Sequence, residues 1–180
     1  MRKLWIVLML AVAVSGCAQG GGAMTASERR TQGTVLDDRN IESKAQQRIA
    51  EKYRSNVQVT VTCFNRYALL TGQAPNEAAK MDIERIVGSI PPVKGIANEL
   101  HVAGVSSYGA RSSDSGVSSD VRNRFLSSKA FNRDHIKVFT EGGVVYLLGI
   151  VTHAEADAAS DIASTTAGVQ KVVRVFEYMD

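Results

Sequence analysis

Tyr67-Ala68-Leu69-Leu70-Thr71-Gly72 and Val144-Val145-Tyr146-Leu147-Leu148-Gly149 are one apolar segment written twice, each copy closed by a glycine. An apolar run of this length, bounded by turn residues, reads as a buried strand. The surroundings of the two copies repeat as well. Upstream, the alternation Val57-Val59-Val61-Cys63 and Ile136-Val138 predicts a partner strand. Asn65-Arg66 and Glu141-Gly142-Gly143 supply the turns between the paired strands. Further upstream, Ile41, Ala45 and Ile49 recur every fourth residue, as do Val117, Val121 and Phe125. That period predicts an amphipathic helix in each copy, with Asp38 and Ser115 as candidate N-caps.

Beyond each glycine, alanines mixed with acidic residues predict a second helix, over residues 76–89 and 153–166. Thr152 and Glu155 have the spacing of a capping box, in which hydroxyl and carboxylate each satisfy an orphan amide. Residues 96–102 and 172–178 close the copies as a last strand. The order is helix, strand, strand, helix, strand, twice, and such an internal repeat governs the reading of the whole chain. The fold class is α+β: two tandem αββαβ units, each a three-stranded mixed sheet with two helices on one face. Units of about 65 residues lie near the lower limit of independent stability, so the two are expected to lean on each other.

The N-terminus has a different character. Arg2 and Lys3 precede an apolar run from Leu4 to Val14. The run is shorter than the roughly 20 residues that cross a bilayer as a helix, and it has the length of a secretory signal peptide. Val14-Ser15-Gly16-Cys17 resembles a bacterial lipobox. The resemblance implies diacylation of the Cys17 thiol, cleavage before it and acylation of the new N-terminus. An ordinary signal peptide cut nearby, or a core helix, are the other readings. Ala18 stands where an Asp would resemble an inner-membrane retention signal, so the expected destination is the outer membrane of a Gram-negative cell, lipid-anchored at its periplasmic face. The expected segments are a signal peptide (1–16), a lipidated N-terminus and tether (17–36), a first unit (37–103), a linker (104–113) and a second unit (114–180). The Gly- and Ser-containing stretch from Ala103 to Ser115 carries the linker reading.

Without the leader, nineteen Lys and Arg face eighteen Asp and Glu. So even a balance argues against a general nucleic-acid binder, which carries a basic stripe, and against a polybasic membrane patch. Cys17 is committed to lipid, which leaves Cys63 without a disulfide partner despite the oxidising compartment the leader implies. Cys63 shares the Val57-Val59-Val61 face, so it is read as a buried inert thiol, against a redox site. Arg29-Arg30 is either solvated tether or a headgroup contact. His101, His135 and His153 have no other ligand type at metal spacing. No nucleophile elbow, zinc-protease motif or phosphate loop is present, and Asp157 and Asp161 read as the solvated face of a helix. No catalytic residue, metal or cofactor is expected.

Gly168-Val169-Gln170-Lys171-Val172, stepping into the last strand, resembles the corresponding step of the BON domain. Val93-Lys94-Gly95-Ile96-Ala97-Asn98 keeps the Val and the Asn, while Pro91-Pro92 replaces the Gly and Arg174 replaces the second copy's Asn. With the lipobox, the chain resembles the dual BON-domain outer-membrane lipoproteins over essentially all of its mature length. The resemblance implies a non-catalytic module, phospholipid binding and maintenance of the outer-membrane barrier.

Two surfaces could do the binding. The strands of the second unit are apolar on both faces: Val173 and Val175 alternate with Val172, Phe176 and Tyr178, and Phe139 lies opposite Ile136 and Val138. A sheet with helices on one side should alternate, so the other face packs on the first unit, on a partner or on lipid. The second surface is the first helix of the second unit, where Arg122, Arg124 and Lys129 surround Phe125 and Leu126. Cations beside apolar side chains suit an anionic membrane surface, and the resemblance places lipid contact on this helix. A plain amphipathic core helix is the other reading, because Gly116-Val117 supplies no aromatic anchor. The expected partners are the outer membrane through the lipid anchor, anionic phospholipid, and envelope assembly proteins. The rival function is a periplasmic scaffold that docks an assembly component through the apolar sheet face.

Overall fold

In each half of the chain a central strand is paired antiparallel on one side and parallel on the other. A computed structural model describes residues 28–103 and 109–180. The leader, Cys17 and residues 104–108 of the expected linker lie outside them. The first unit comprises α1 (Gln32–Tyr53), β1 (Gln58–Phe64), β2 (Tyr67–Ala74), α2 (Glu77–Gly88) and β3 (Gly95–Val102). The second repeats the order with α3 (Gly109–Leu126), β4 (Ile136–Glu141), β5 (Val144–Val151), α4 (His153–Ser164) and β6 (Lys171–Tyr178). β2 pairs antiparallel with β1 and parallel with β3, and β5 does the same between β4 and β6. A parallel pair needs a crossover, which α2 and α4 provide. These are the two αββαβ units that the repeat predicts.

The hairpins show why the repeat contains what it does. Phe64 faces Tyr67 and Glu141 faces Val144 across two-residue turns. Asn65, Arg66, Gly142 and Gly143 all have positive φ, the conformation of the turn whose twist matches the strands. Asp38 was expected to cap the first helix and does not, and Asp114 is its counterpart in the second unit. Both lie inside helices, because Thr31 caps α1 through its hydroxyl and α3 starts at Gly109. The Asp38 carboxylate accepts from the Asn65 and Arg66 amides at 2.9 and 2.6 Å. Asp114 accepts from the Gly142 and Gly143 amides at 2.8 and 3.0 Å. A buried carboxylate thus pins each hairpin to the first helix of its unit. Ser115, the other candidate cap, is an interior residue of α3. The helix therefore takes in residues 109–113 of the stretch expected to be linker.

The glycine that ends each apolar run is also explained. At Gly72, with φ of 111°, a Cβ would lie 2.1 Å from the Gln58 carbonyl oxygen. At Gly149 it would lie 2.5 Å from the His135 carbonyl oxygen. No side chain fits where the neighbouring strand passes so close.

Two cores lie between helices and sheets. Ile41, Ala45, Ile49, Ile83 and Val87 cover Val61, Cys63, Leu70 and Leu100 in the first unit. Burial, then the charges of Glu42 and Asp38, push the Cys63 thiol up to about 12, so it stays protonated and inert. In the second unit Val121, Phe125, Ala156, Ala159 and Ala163 cover Val138, Val145 and Leu147.

A third core joins the units. Phe64 and Leu69 from the first sheet are buried with Tyr146 and Leu148 from the second, flanked by Ala97, Phe139, Val173 and Val175. The sheets pack by the faces their helices leave bare, giving layers of helix, sheet, sheet and helix. This accounts for the strands that are apolar on both faces. Polar contacts hold the joint: Lys137 Nζ donates to Glu42 at 2.8 Å and to the Cys63 carbonyl at 3.1 Å, and Asn65 Nδ2 donates to Glu177 at 2.7 Å. The sheet face proposed as a docking surface for an assembly component is therefore covered while the units stay packed.

The expected tether is also shorter than its composition implies. Arg29 donates from Nη1 to the Ile150 carbonyl at 2.7 Å and pairs in bidentate fashion with Glu155, at 2.7 and 2.8 Å. Arg30 bonds Glu28 and Asp38, and its guanidinium lies 3.8 Å above the Phe64 ring. Neither is solvated tether. The arm before α1 straps the second unit to the first. No helix among the described residues is long and apolar enough to cross a membrane.

Candidate functional site

The register of α3 sorts its side chains into three groups. Asp114, Ser118, Val121 and Phe125 face the sheet and are buried. The Phe125 ring is 1% exposed and meets Phe131 edge-on, with centroids 4.9 Å apart. The expected lipid contact at Phe125 is thereby corrected, since a ring committed to the core cannot enter a bilayer.

One flank of the helix turns towards α4. There Arg124 donates from Nη1 to the Ile162 carbonyl and the Thr166 hydroxyl, each at 2.7 Å, and from Nη2 to the Thr165 hydroxyl at 3.0 Å. These are the last groups of α4, which has no basic residue in its own final turn. A guanidinium there satisfies orphan carbonyls and faces the negative end of the helix dipole. Arg124 is a cap, and three of its donors are used within the fold.

The opposite flank carries Arg122 and Leu126. Leu126 is 56% exposed. Arg122 is exposed and makes no hydrogen bond or ion pair with any described residue. Lys129, just past the helix, is exposed as well. Arg133 follows in a short 3-10 turn, Arg133–His135, started by Asn132. Its Nε lies 3.5 Å from Asp134. Gly116 sits on the outside of the helix interior, where a Cβ would meet nothing within 4 Å. The open position lacks an aromatic because of the residue found there, with room to spare.

The remaining titratable clusters belong to the framework. His153 donates or accepts at Nδ1 with Asp180 at 2.8 Å and stacks on Tyr178. The buried His135 has its Nδ1 3.7 Å from Glu155. Among the described residues no group of three or more His, Cys, Asp or Glu is placed to hold a metal ion.

Glu155 closes the capping box with Thr152 and binds Arg29. The hydrogen bonds from Arg29 outweigh its desolvation and hold its carboxyl down at about 2. A carboxyl depressed on folding contributes stability above its unfolded pKa, and the contribution is lost as pH falls through the folded value. Grip of the arm on the second unit is thus expected to persist through the ordinary carboxylate range and to fail only near pH 2. Arg29→Ala should return the Glu155 midpoint towards the usual range. An NMR titration of the Glu155 side chain in both proteins checks this; identical midpoints would show that the arm does not bind there in solution.

Residues 37–104 and 113–180 each match the profile of the BON domain. The whole chain is 34% identical to the outer membrane lipoprotein DolP of Haemophilus influenzae and covers 97% of it. The chain is 29% identical to a 21 kDa hemolysin of Actinobacillus pleuropneumoniae, over 83% of this chain and 78% of that one. Its identity to the osmotically-inducible protein Y of Escherichia coli is 25%, over 94% and 90%.

Proposed function

The chain belongs to the BON-domain family, with two copies of the domain, and on that premise we propose that it is a non-catalytic lipoprotein of the outer membrane that supports envelope integrity by binding anionic phospholipid through its second unit. Anchoring is through acylated Cys17, facing the periplasm. The similarity to a relative named as an outer membrane lipoprotein favours an envelope location.

The observation that carries the reading is the outward flank of α3. Arg122 has no partner, Leu126 is exposed beside it, and Lys129 and Arg133 extend the same cationic surface. Arg124, by contrast, is used inside the protein. A few cations beside one leucine give an interface worth about 1 kcal/mol per basic residue near the surface. Binding is therefore weak and dependent on salt, fading as the Debye length falls below about 10 Å.

Flotation of residues 18–180 with anionic and zwitterionic liposomes, at low and high salt, tests the reading. The chain is expected to float with anionic liposomes at low salt only. The paired variant Arg122→Ala/Lys129→Ala, which leaves the Arg124 cap intact, should lose about tenfold or more in partition. Equal binding to both liposome types, or no effect of the pair, would reject this flank as the site.

A further inference from the structure

We propose that the cleft beside the first hairpin turn binds a small zwitterion carrying an aromatic ring, an amino acid of the phenylalanine type. Lys94 takes its carboxylate, Glu177 its ammonium, and aromatic walls from both units its ring. No residue of α3 lines this cleft, so the site stands apart from the flank that meets lipid, and its test needs no lipid.

The cleft has a volume of about 320 Å³. Sites for small molecules begin at roughly 300 Å³, favour the joints between packed units, and combine apolar or aromatic walls with a few polar groups. Phe64 and Tyr67 form the wall from the first unit, Val175 and Phe176 the wall from the second. Tyr67 is exposed, and its ring lies over Gly95, where a Cβ would stand 2.4 Å from the ring. Gly149, the register partner of Phe176, adds bare backbone beside that ring. Walls of this kind take an aromatic ring offset or edge-on, which adds to the gain from its burial.

Charge decides the rest of the ligand. The two residues of the turn draw groups of opposite sign to one place. The Lys94 N–H donates to the Arg66 carbonyl at 2.9 Å, and Asn65 Nδ2 donates to Glu177 at 2.7 Å. Lys94 and Glu177 both line the cleft. They do not pair with each other, and neither has an ion-pair partner among the described residues. Lys94 thus keeps its ammonium protons, and Glu177 keeps one carboxylate oxygen beyond the Asn65 bond. A lone carboxylate in the cleft would be repelled by Glu177, and a lone ammonium by Lys94. A molecule with both charges and a ring satisfies all the groups on the walls, through charge-assisted hydrogen bonds at one end and burial at the other.

The test adds L-phenylalanine to isotope-labelled residues 18–180 and follows the backbone amides by NMR. Shifts are expected at Asn65, Arg66, Tyr67, Phe176 and Glu177, saturating with a Kd of about 1 mM, as suits a few polar contacts and one ring. Phenylacetate, 2-phenylethylamine and L-alanine each lack one of the three recognised groups. Each is expected to bind about tenfold more weakly, the loss of one charge-assisted hydrogen bond or of the buried ring. Lys94→Gln and Glu177→Gln should each weaken phenylalanine by a similar factor, whereas Lys44→Gln, an exposed cation of α1 outside the cleft, should leave it unchanged. Glu177 also receives Asn65 across the joint, so the ligand series on the unaltered chain keeps recognition separate from any loosening of the units. No shift at ten times the expected Kd, or shifts centred elsewhere, would overturn the site. Phenylacetate binding as tightly as phenylalanine, with Glu177→Gln neutral, would overturn the zwitterion.

Discussion

Replacing Cys17 by Ala is expected to release the chain from the membrane fraction altogether. The described residues contain no helix able to cross a bilayer, and the flank of α3 supplies only a handful of cations and one leucine. Such a surface gives kilocalories that salt can remove, whereas acyl chains contribute about 0.8 kcal/mol for each buried methylene. Under the proposed acylation of Cys17, the anchor would dominate residence and the second unit would decide only how the body lies on the leaflet. Cell fractionation of Cys17→Ala checks this, with a salt wash to strip weak association. Folded variant persisting in the outer-membrane fraction after the wash would place the anchor elsewhere in the chain.

The second large effect is expected at Tyr146. Its ring is 2% exposed in the core between the sheets, and it lies 6.5 Å from Phe139. Burial, then the carboxylates of Glu99 and Glu141, push its hydroxyl up to about 12. Glu99 belongs to the first unit, so the phenol registers the packing of one unit on the other. Tyr146→Ala removes the largest side chain of the joint and should cost about 3–5 kcal/mol. Leu126→Ala, on the exposed flank of α3, should fall within about 0.5 kcal/mol of the parent. Urea unfolding of the three proteins measures both differences. A Tyr146→Ala protein as stable as the parent would show that the two units do not share a core in solution.

Much of the architecture could be read locally. Apolar runs and alternation located the strands, alanines mixed with acidic residues located α2 and α4, and a period of four marked the core stripes of α1 and α3 at residues such as Ile41 and Val121. The capping box at Thr152 and Glu155 forms as written. What local reading missed has one cause. Asp38 looks like a cap because a short acid before an apolar run has that preference, yet its acceptors, like those of its counterpart Asp114, are used by amides 27 to 29 residues away. Arg29 and Arg30 look like tether because their partners are on other elements, in one case 126 residues distant. The first turns of α1 carry Gly33 and an exposed Leu36, so no apolar period announced them.

The candidate site divides in the same way. Composition put Arg122, Arg124, Phe125, Leu126 and Lys129 on one helix, and a helix places such residues within a few turns of one another whatever surrounds it. Only packing could separate them, because α4 claims Arg124, the sheet claims Phe125, and Arg122 is left exposed. The sequence by itself determined the repeated αββαβ order, the hairpin turns and the glycines, since these follow from backbone sterics and from side-chain periodicity over a few residues. Tertiary structure decided which charges remain free, which face of each sheet is covered and where the arm is strapped. Those depend on partners far along the chain, and burial of one apolar face against another chooses them.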